Sequence, residues 1–183
     1  CYGMSVITAL TAQNTQGVAA IHAAPVDFVA KQIDAVLADV GADAVKIGML
    51  FSPELIETVA RKLQEYRVTR IVLDPVMVAQ SGDKLLQDEA IAALKEYLIP
   101  MAELITPNLP EASVLLGRET FTTAAIELAA IELATDAAQR GRRQHAFGGA
   151  TRAHVHVNRR FRVGHRDHAC HIAIGDQLDS ATH

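Results

Sequence analysis

Several side chains in this sequence combine the types and placement that chemistry needs. Asp74 closes the apolar run "VLDPVM" and is followed at once by Pro75. A carboxylate there either caps a turn or holds a hydrated Mg²⁺. In "TPNLPEA" Asn108 and Glu111 stand three apart, with Glu111 in the first turn of a helix, where its charge favours the helix dipole. The second reading of Glu111 is a carboxylate that orients Mg²⁺ and its waters. Magnesium keeps several waters and needs only one or two carboxylates plus phosphate oxygens, so Asp74 and Glu111 suffice as a protein contribution. In "TALTAQNTQGV" an apolar, β-branched run flows into Gln13 and Asn14, which make either a turn or a polar pocket floor. Lys46 in "AVKIGML" can pair with a carboxylate at a sheet end or touch a phosphate. Gly48 beside Met49 allows close backbone approach, with the thioether either under a flat ring or in plain core.

The elements that must carry these residues alternate. Val6 to Leu10 reads as a buried strand. Pro25 opens a helix at its first position, with Val26, Val29, Ile33, Val36, Leu37 and Val40 at helical spacing and Gly41 as terminator. Ala44 to Leu50 is a short strand. "SPELIETVARKLQEYR" begins a helix with Ser52 as N-cap, Pro53 at the first position and Glu54 in the first turn. "RIVLD" is a strand ending on Asp74, Leu85 to Leu98 a helix, "AELITPN" a strand, and Pro110 to Leu116 a helix closed by Gly117. Such alternation predicts a parallel sheet with helices on both faces. Ligands of such sheets lie beyond the carboxyl ends of the strands. Gln13-Asn14, Gly48-Met49, Asp74-Pro75 and Thr106-Pro107-Asn108 all fall at those ends.

With 183 residues, half of them hydrophobic and 4% aromatic, the chain can bury one sizeable core. No apolar run approaches the ~20 residues of a membrane span. Nor is there a charged start followed by an apolar signal region, so the chain is expected in the cytoplasm with no membrane partner. Cys1 and Cys170 suggest neither a disulfide framework nor zinc spacing. The net charge of −4 divides unevenly. Residues 1–135 hold 9 Lys/Arg against 17 Asp/Glu, and residues 136–183 hold 8 Arg, no Lys and 4 Asp, with seven of the eight His. Thr122 to Ala138 reads as an Ala-rich helix; after Arg140 the periodicity fails. "AHVHVNRRFRV" alternates like one strand. In "HRDHACH", His165, His168, Cys170 and His171 could bind zinc or nickel, but the spacing matches no standard structural site. Gly148-Gly149 is a weak phosphate-loop motif with no clear strand before it or helix after it.

The strings "YGMSVITALTAQNTQGV", "VKIGML", "VLDPVM", "SGDKLL" and "LITPNLPEA", in this order and spacing, closely resemble the hydroxymethylpyrimidine/phosphomethylpyrimidine kinases of thiamine biosynthesis, which are ribokinase-like. The match covers roughly residues 2–120, and "TALTAQNT" separates it from the pyridoxal kinases. The resemblance implies phosphorylation of 4-amino-5-hydroxymethyl-2-methylpyrimidine and of its monophosphate, with ATP and Mg²⁺ as cofactors. It matches Gln13 to the residue that hydrogen-bonds the aminopyrimidine. It matches Met49 and Val76 to the ring pocket, and Asp74, Asn108 and Glu111 to positions near Mg²⁺ and the ATP phosphates. It also implies a homodimer.

Departures from the family are expected to matter. A glycine-rich "GSDPSGGAG"-like turn does not precede Cys1. Neither a "VKGGH"-like segment nor the "HGTGC"-like anion-hole loop that carries the catalytic residue follows, and "FGGAT" does not replace it. The expected organisation is a partial kinase domain over residues 1–135, incomplete at both ends, and an atypical, poorly ordered Arg/His-rich tail over 136–183. A change of reading frame near residue 136 would account for the tail's composition. The sheet's missing strands would expose apolar edges and promote association. Three functional readings follow: a pyrimidine kinase with impaired turnover, an inactive fragment that still binds the pyrimidine, and a basic-tailed nucleic-acid binder. The last is weakest, because the tail's excess charge is modest, and no nucleic-acid partner is expected.

Overall fold

The computed structural model describes residues 2–14, 17–77, 86, 88–117, 154–155 and 171–175. The strands are β1 (Gly3–Ile7), β2 (Ala9–Asn14), β3 (Gly17–Ala23), β4 (Ala44–Ile47), β5 (Ile71–Leu73), β6 (Leu104–Ile105), β7 (His154–Val155) and β8 (His171–Gly175). The helices are α1 (Val26–Asp39), α2 (Pro53–Glu65), α3 (Asp88–Ala93) and α4 (Leu109–Leu116).

Six strands form one parallel sheet in the order β1-β8-β4-β5-β6-β7. The parallel βα alternation read from the sequence is therefore present. Short connections through α2 and α3 bring the ends of β4, β5 and β6 side by side. The sheet's inner residues Val45, Ile47, Ile71, Leu73 and Ile105 are fully buried. Against them pack Val29, Ile33 and Leu37 of α1 and Leu55, Ile56, Val59, Ala60 and Leu63 of α2. These recur at three, four and seven positions, which puts them on one helix face. α1 contacts α2, and α2 contacts α3 and the turns that follow it, so these helices make one continuous layer.

Local chemistry sets the boundaries. The Ser52 hydroxyl accepts the Leu55 amide at 3.3 Å, as an N-cap should, and Pro53 follows it. Gly41 (φ 74°) and Gly117 (φ 67°) adopt the left-handed conformation that ends α1 and α4. Pro25 sits one position earlier than expected. It is the N-cap of α1, in extended backbone, and its carbonyl accepts the amides of Phe28 and Val29. The helix expected over 85–98 is broken up: α3 ends at Ala93, a π-turn spans Leu94–Leu98 and a 3₁₀ turn spans Ile99–Met101. Pro100 supplies no amide to an α-helical ladder, and the segment closes through Ala102 N donating to the carbonyls of Leu98 and Ile99.

The single strand expected over Val6 to Leu10 is two strands. β1 lies in the main sheet; at Thr8 the chain leaves it, and β2 pairs antiparallel with β3 in a separate two-stranded ribbon. The turn at Thr8 is fixed by hydrogen bonds described below. Two pieces of the Arg/His-rich region belong to the sheet. β7 extends it beyond β6, and β8 pairs with both β1 and β4. Without β8 those two strands would have no common partner. The expected helix over Thr122 to Ala138, most of "SGDKLL", Gly148-Gly149, and His165, His168 and Cys170 lie outside the described residues. Among the described residues no three His, Cys, Asp or Glu side chains form a metal-binding group, and no helix is long and apolar enough to cross a membrane.

Candidate active site

The residues that the sequence placed at strand ends gather at the carboxyl ends of β4, β5 and β6, except Gln13 and Asn14, which lie on the antiparallel β2–β3 ribbon and not at an end of the parallel sheet. Lys46 is in β4, with Met49 just after it; Asp74, Val76 and Met77 follow β5; Thr106, Asn108 and Glu111 follow β6. Because these strands are neighbours, three short loops converge at one end of the sheet. Backbone bonds tie each loop to the next strand: Asp74 N donates to Ile47 O at 2.8 Å, and Thr106 N to Leu73 O at 2.9 Å. Val76 N donates to Asp74 O at 2.9 Å, closing a tight turn around Pro75.

Asp74 forms an ion pair with Lys46 (Oδ2 to Nζ, 3.2 Å), with both side chains partly open to water. The sheet-end salt bridge that was one reading of Lys46 is thus present. Glu111 is different: it is only 3% exposed. Its Oε2 accepts the Asn108 amide at 2.8 Å, while Asn108 Oδ1 accepts the Glu111 amide at 2.9 Å. This is a reciprocal capping box at the start of α4. Oε1 accepts the Met77 amide at 3.4 Å, joining the β5 loop to the β6 loop. Burial pushes the Glu111 carboxyl above its usual range, and the nearby Asp74 charge adds to this; the amides of Asn108 and Met77 oppose it.

Both readings of Glu111 therefore bear on the same side chain, which caps α4 and also stands within electrostatic reach of Asp74. The donor set suits a hydrated Mg²⁺. Asp74 offers a partly exposed carboxylate, whereas the oxygens of Glu111 are engaged by backbone amides, so its contact with such an ion would run through water.

Met49 is 6% exposed. Val76 is half-buried and Gln13 is exposed. Gln13 lies on β2, opposite Val18 and just past a bulge between Ala12 and Gln13. The alternation of β2 puts it on the same face as Thr11 and Ala9, and Ala9 is fully buried. The cluster of loops is joined to the ribbon through Thr8, whose hydroxyl donates to Met49 O at 3.1 Å. Thr8 was not singled out from the sequence. Its signal is a hydroxyl flanked on both sides by apolar residues in "VITAL".

The sequence profile of the phosphomethylpyrimidine kinase family matches residues 1–141. The hydroxymethylpyrimidine/phosphomethylpyrimidine kinase of Bacillus subtilis is 54% identical over 116 residues, 63% of this chain and 43% of that protein. The Escherichia coli kinase of the same name is 54% identical over 115 residues, again 63% and 43%. The chain thus spans less than half the length of these relatives. Among solved structures, the phosphomethylpyrimidine kinase of Clostridium difficile superposes with a TM-score of 0.68 at 44% identity, over 74% of this chain and 58% of that one. The pyridoxal kinase of Staphylococcus aureus in complex with AMP-PCP and pyridoxal superposes with a TM-score of 0.64 at 29% identity, over 74% and 48%. The fold is accordingly ribokinase-like, and this chain belongs to the phosphomethylpyrimidine kinase family.

Proposed function

We propose that this chain carries the substrate-recognising part of an ATP-dependent kinase for 4-amino-5-hydroxymethyl-2-methylpyrimidine and its monophosphate. The observation that carries the reading is the convergence of Met49, Asp74, Val76, Asn108 and Glu111 on adjacent strand ends, hydrogen-bonded through Thr8 to the ribbon that bears Gln13. Gln13 reads the aminopyrimidine edge, because an amide donates and accepts at once. Met49 and Val76 supply the apolar wall of the ring pocket. Asp74, with Glu111 behind it, holds hydrated Mg²⁺, and Asn108 orders the loop facing the nucleotide. Mg²⁺, when bound, would neutralise charge on the phosphates being separated. The chain's own contribution is positioning, which in phosphoryl transfer is most of the work. The AMP-PCP in the Staphylococcus aureus structure supports ATP as the phosphoryl donor.

The sequence has no counterpart of the family's anion-hole loop, which favours a second reading: a fragment that binds the pyrimidine and turns over little or none. A homodimer in the cytoplasm is the expected setting for either. Two measurements separate the readings. A coupled ATPase assay with the pyrimidine and Mg²⁺ is expected to give very low turnover. A thermal shift on adding the pyrimidine is expected for the native chain and absent in Gln13→Ala. Robust phosphorylation would overturn the second reading, and no shift at saturating pyrimidine would overturn substrate recognition itself.

A further inference from the structure

Thr8 and Glu111 are the buried polar residues of the described chain, and the functional reading uses only Glu111. Thr8 is 0% exposed and sits where the chain passes from the parallel sheet into the ribbon. Its carbonyl accepts the Ala24 amide at 2.9 Å, which closes the base of the β2–β3 ribbon. Its hydroxyl donates to the Met49 carbonyl at 3.1 Å. One residue earlier, Gln32 of α1 grips Ile7 from both sides: its Oε1 accepts the Ile7 amide at 3.0 Å and its Nε2 donates to the Ile7 carbonyl at 2.9 Å. The junction is therefore fixed to α1, to the far leg of the ribbon and to the loop after β4.

We propose that Thr8 is a positioning residue that sets the ribbon bearing Gln13 against the loop bearing Met49. The proposal rests on the pyrimidine reading given above for its consequence in binding, and on hydrogen bonds alone for its geometry. Gln13 lies five residues beyond Thr8, about 17 Å along a strand at roughly 3.4 Å per residue. A tilt of about 5° at the junction displaces Gln13 by about 1.5 Å, enough to carry a hydrogen bond of ~2.9 Å beyond its useful range. A small loss of definition at Thr8 thus becomes a large one where the ring edge is read, while the Asp74 and Glu111 loops, attached through other strands, stay in place.

The test compares the native chain with Thr8→Val, Thr8→Ala and Thr8→Ser. Each is titrated with 4-amino-5-hydroxymethyl-2-methylpyrimidine and, separately, with AMP-PCP and Mg²⁺, and each is followed by amide hydrogen exchange. Thr8→Val keeps the β-branched shape without the donor, Thr8→Ala removes both, and Thr8→Ser keeps the donor. Val and Ala are expected to weaken the pyrimidine about tenfold or more and to leave AMP-PCP within about twofold, with Ser close to native. Exchange is expected to rise about tenfold across residues 9–14, 17–23 and 49–50 in Val and Ala, and not in Ser, with α2 unaffected. Unchanged exchange in Val and Ala overturns the proposal, as does Ser behaving like them or equal loss of both ligands. If the native chain binds no pyrimidine, the functional reading fails, and the exchange pattern alone still decides the role of Thr8. If Val does not fold, Ala against Ser decides it.

Discussion

Removing the Glu111 side chain should reveal how much of the site's order rests on one carboxylate. In Glu111→Ala the Asn108 amide loses its acceptor at 2.8 Å, and the Met77 amide loses its acceptor at 3.4 Å. The first is half of a capping box, where loss of a cap costs about 1 kcal/mol. The second leaves a donor on a residue only 1% exposed, for which an unpaired group costs roughly 1–3 kcal/mol; the long bond argues for the lower end. Relief of the buried charge offsets part of this, so the net loss should be about 1–2 kcal/mol at neutral pH. For a chain of this size that is a fall in Tm of roughly 2–8 °C. The pH dependence gives a second readout. The folded chain raises the Glu111 pKa, so it binds this proton more readily than the unfolded chain does. The group's contribution is then greatest below the ordinary carboxylate range and is lost as pH rises through the raised value. The native chain should therefore gain stability relative to Glu111→Ala on going from pH 7 towards pH ~4.5. Thermal melts of both proteins across that range measure it. A variant within 1 °C of native at every pH, or a gap that narrows on acidification, would refute the reasoning.

Three further outcomes are expected. Gln32→Leu removes two half-buried bonds to Ile7 and should cost about 1–2 kcal/mol in a denaturant titration; no change would mean that β1 needs no support on that edge. Gly117→Ala meets no atom within 4 Å of the added Cβ, so its cost of about 1 kcal/mol should come only from the left-handed φ of 67°, and a larger loss would point to an unseen clash. Asp74→Asn breaks a partly exposed ion pair and should change stability by less than about 0.5 kcal/mol, while Mg²⁺-dependent AMP-PCP binding, measured by calorimetry, falls roughly tenfold; unchanged binding would remove Asp74 from the proposed metal site.

The parts of the fold that could be read from the sequence are those governed by local chemistry. Ser52 and Pro53 mark the start of α2, Gly41 and Gly117 mark helix ends, and the runs around Val45 and Ile71 are strands because nothing else buries such residues in so few positions. What the sequence hid depended on distant partners. Nothing local distinguishes Ile7 in the parallel sheet from Leu10 in an antiparallel ribbon; the break comes from Met49 and Ala24, 41 and 16 residues away from Thr8. The helix expected up to Leu98 has the right apolar period, but Pro100 alters the ladder at a distance of several residues. Least legible was β8. "HIAIG" alternates weakly and lies among Arg and His, and its place between β1 and β4 is decided only by the pairing of those two strands.

The clustering of the candidate residues was legible for a different reason. Side chains at the ends of parallel strands must converge whatever the helices do, so Asp74 and Asn108 could be placed together before any contact was known. The structure adds a division of labour between the two carboxylates that spacing cannot express. Among the described residues the Asp74 carboxylate pairs with an exposed lysine, a partner that another cation can replace. Glu111 is committed to two backbone amides, and moving it would loosen α4 and the Met77 loop together. A charge that must be desolvated to stay where it is makes a poor direct ligand but a stiff support for one. On this argument Asp74 carries the proposed contact with hydrated Mg²⁺, and Glu111 fixes the loop geometry and the local field in which that contact forms.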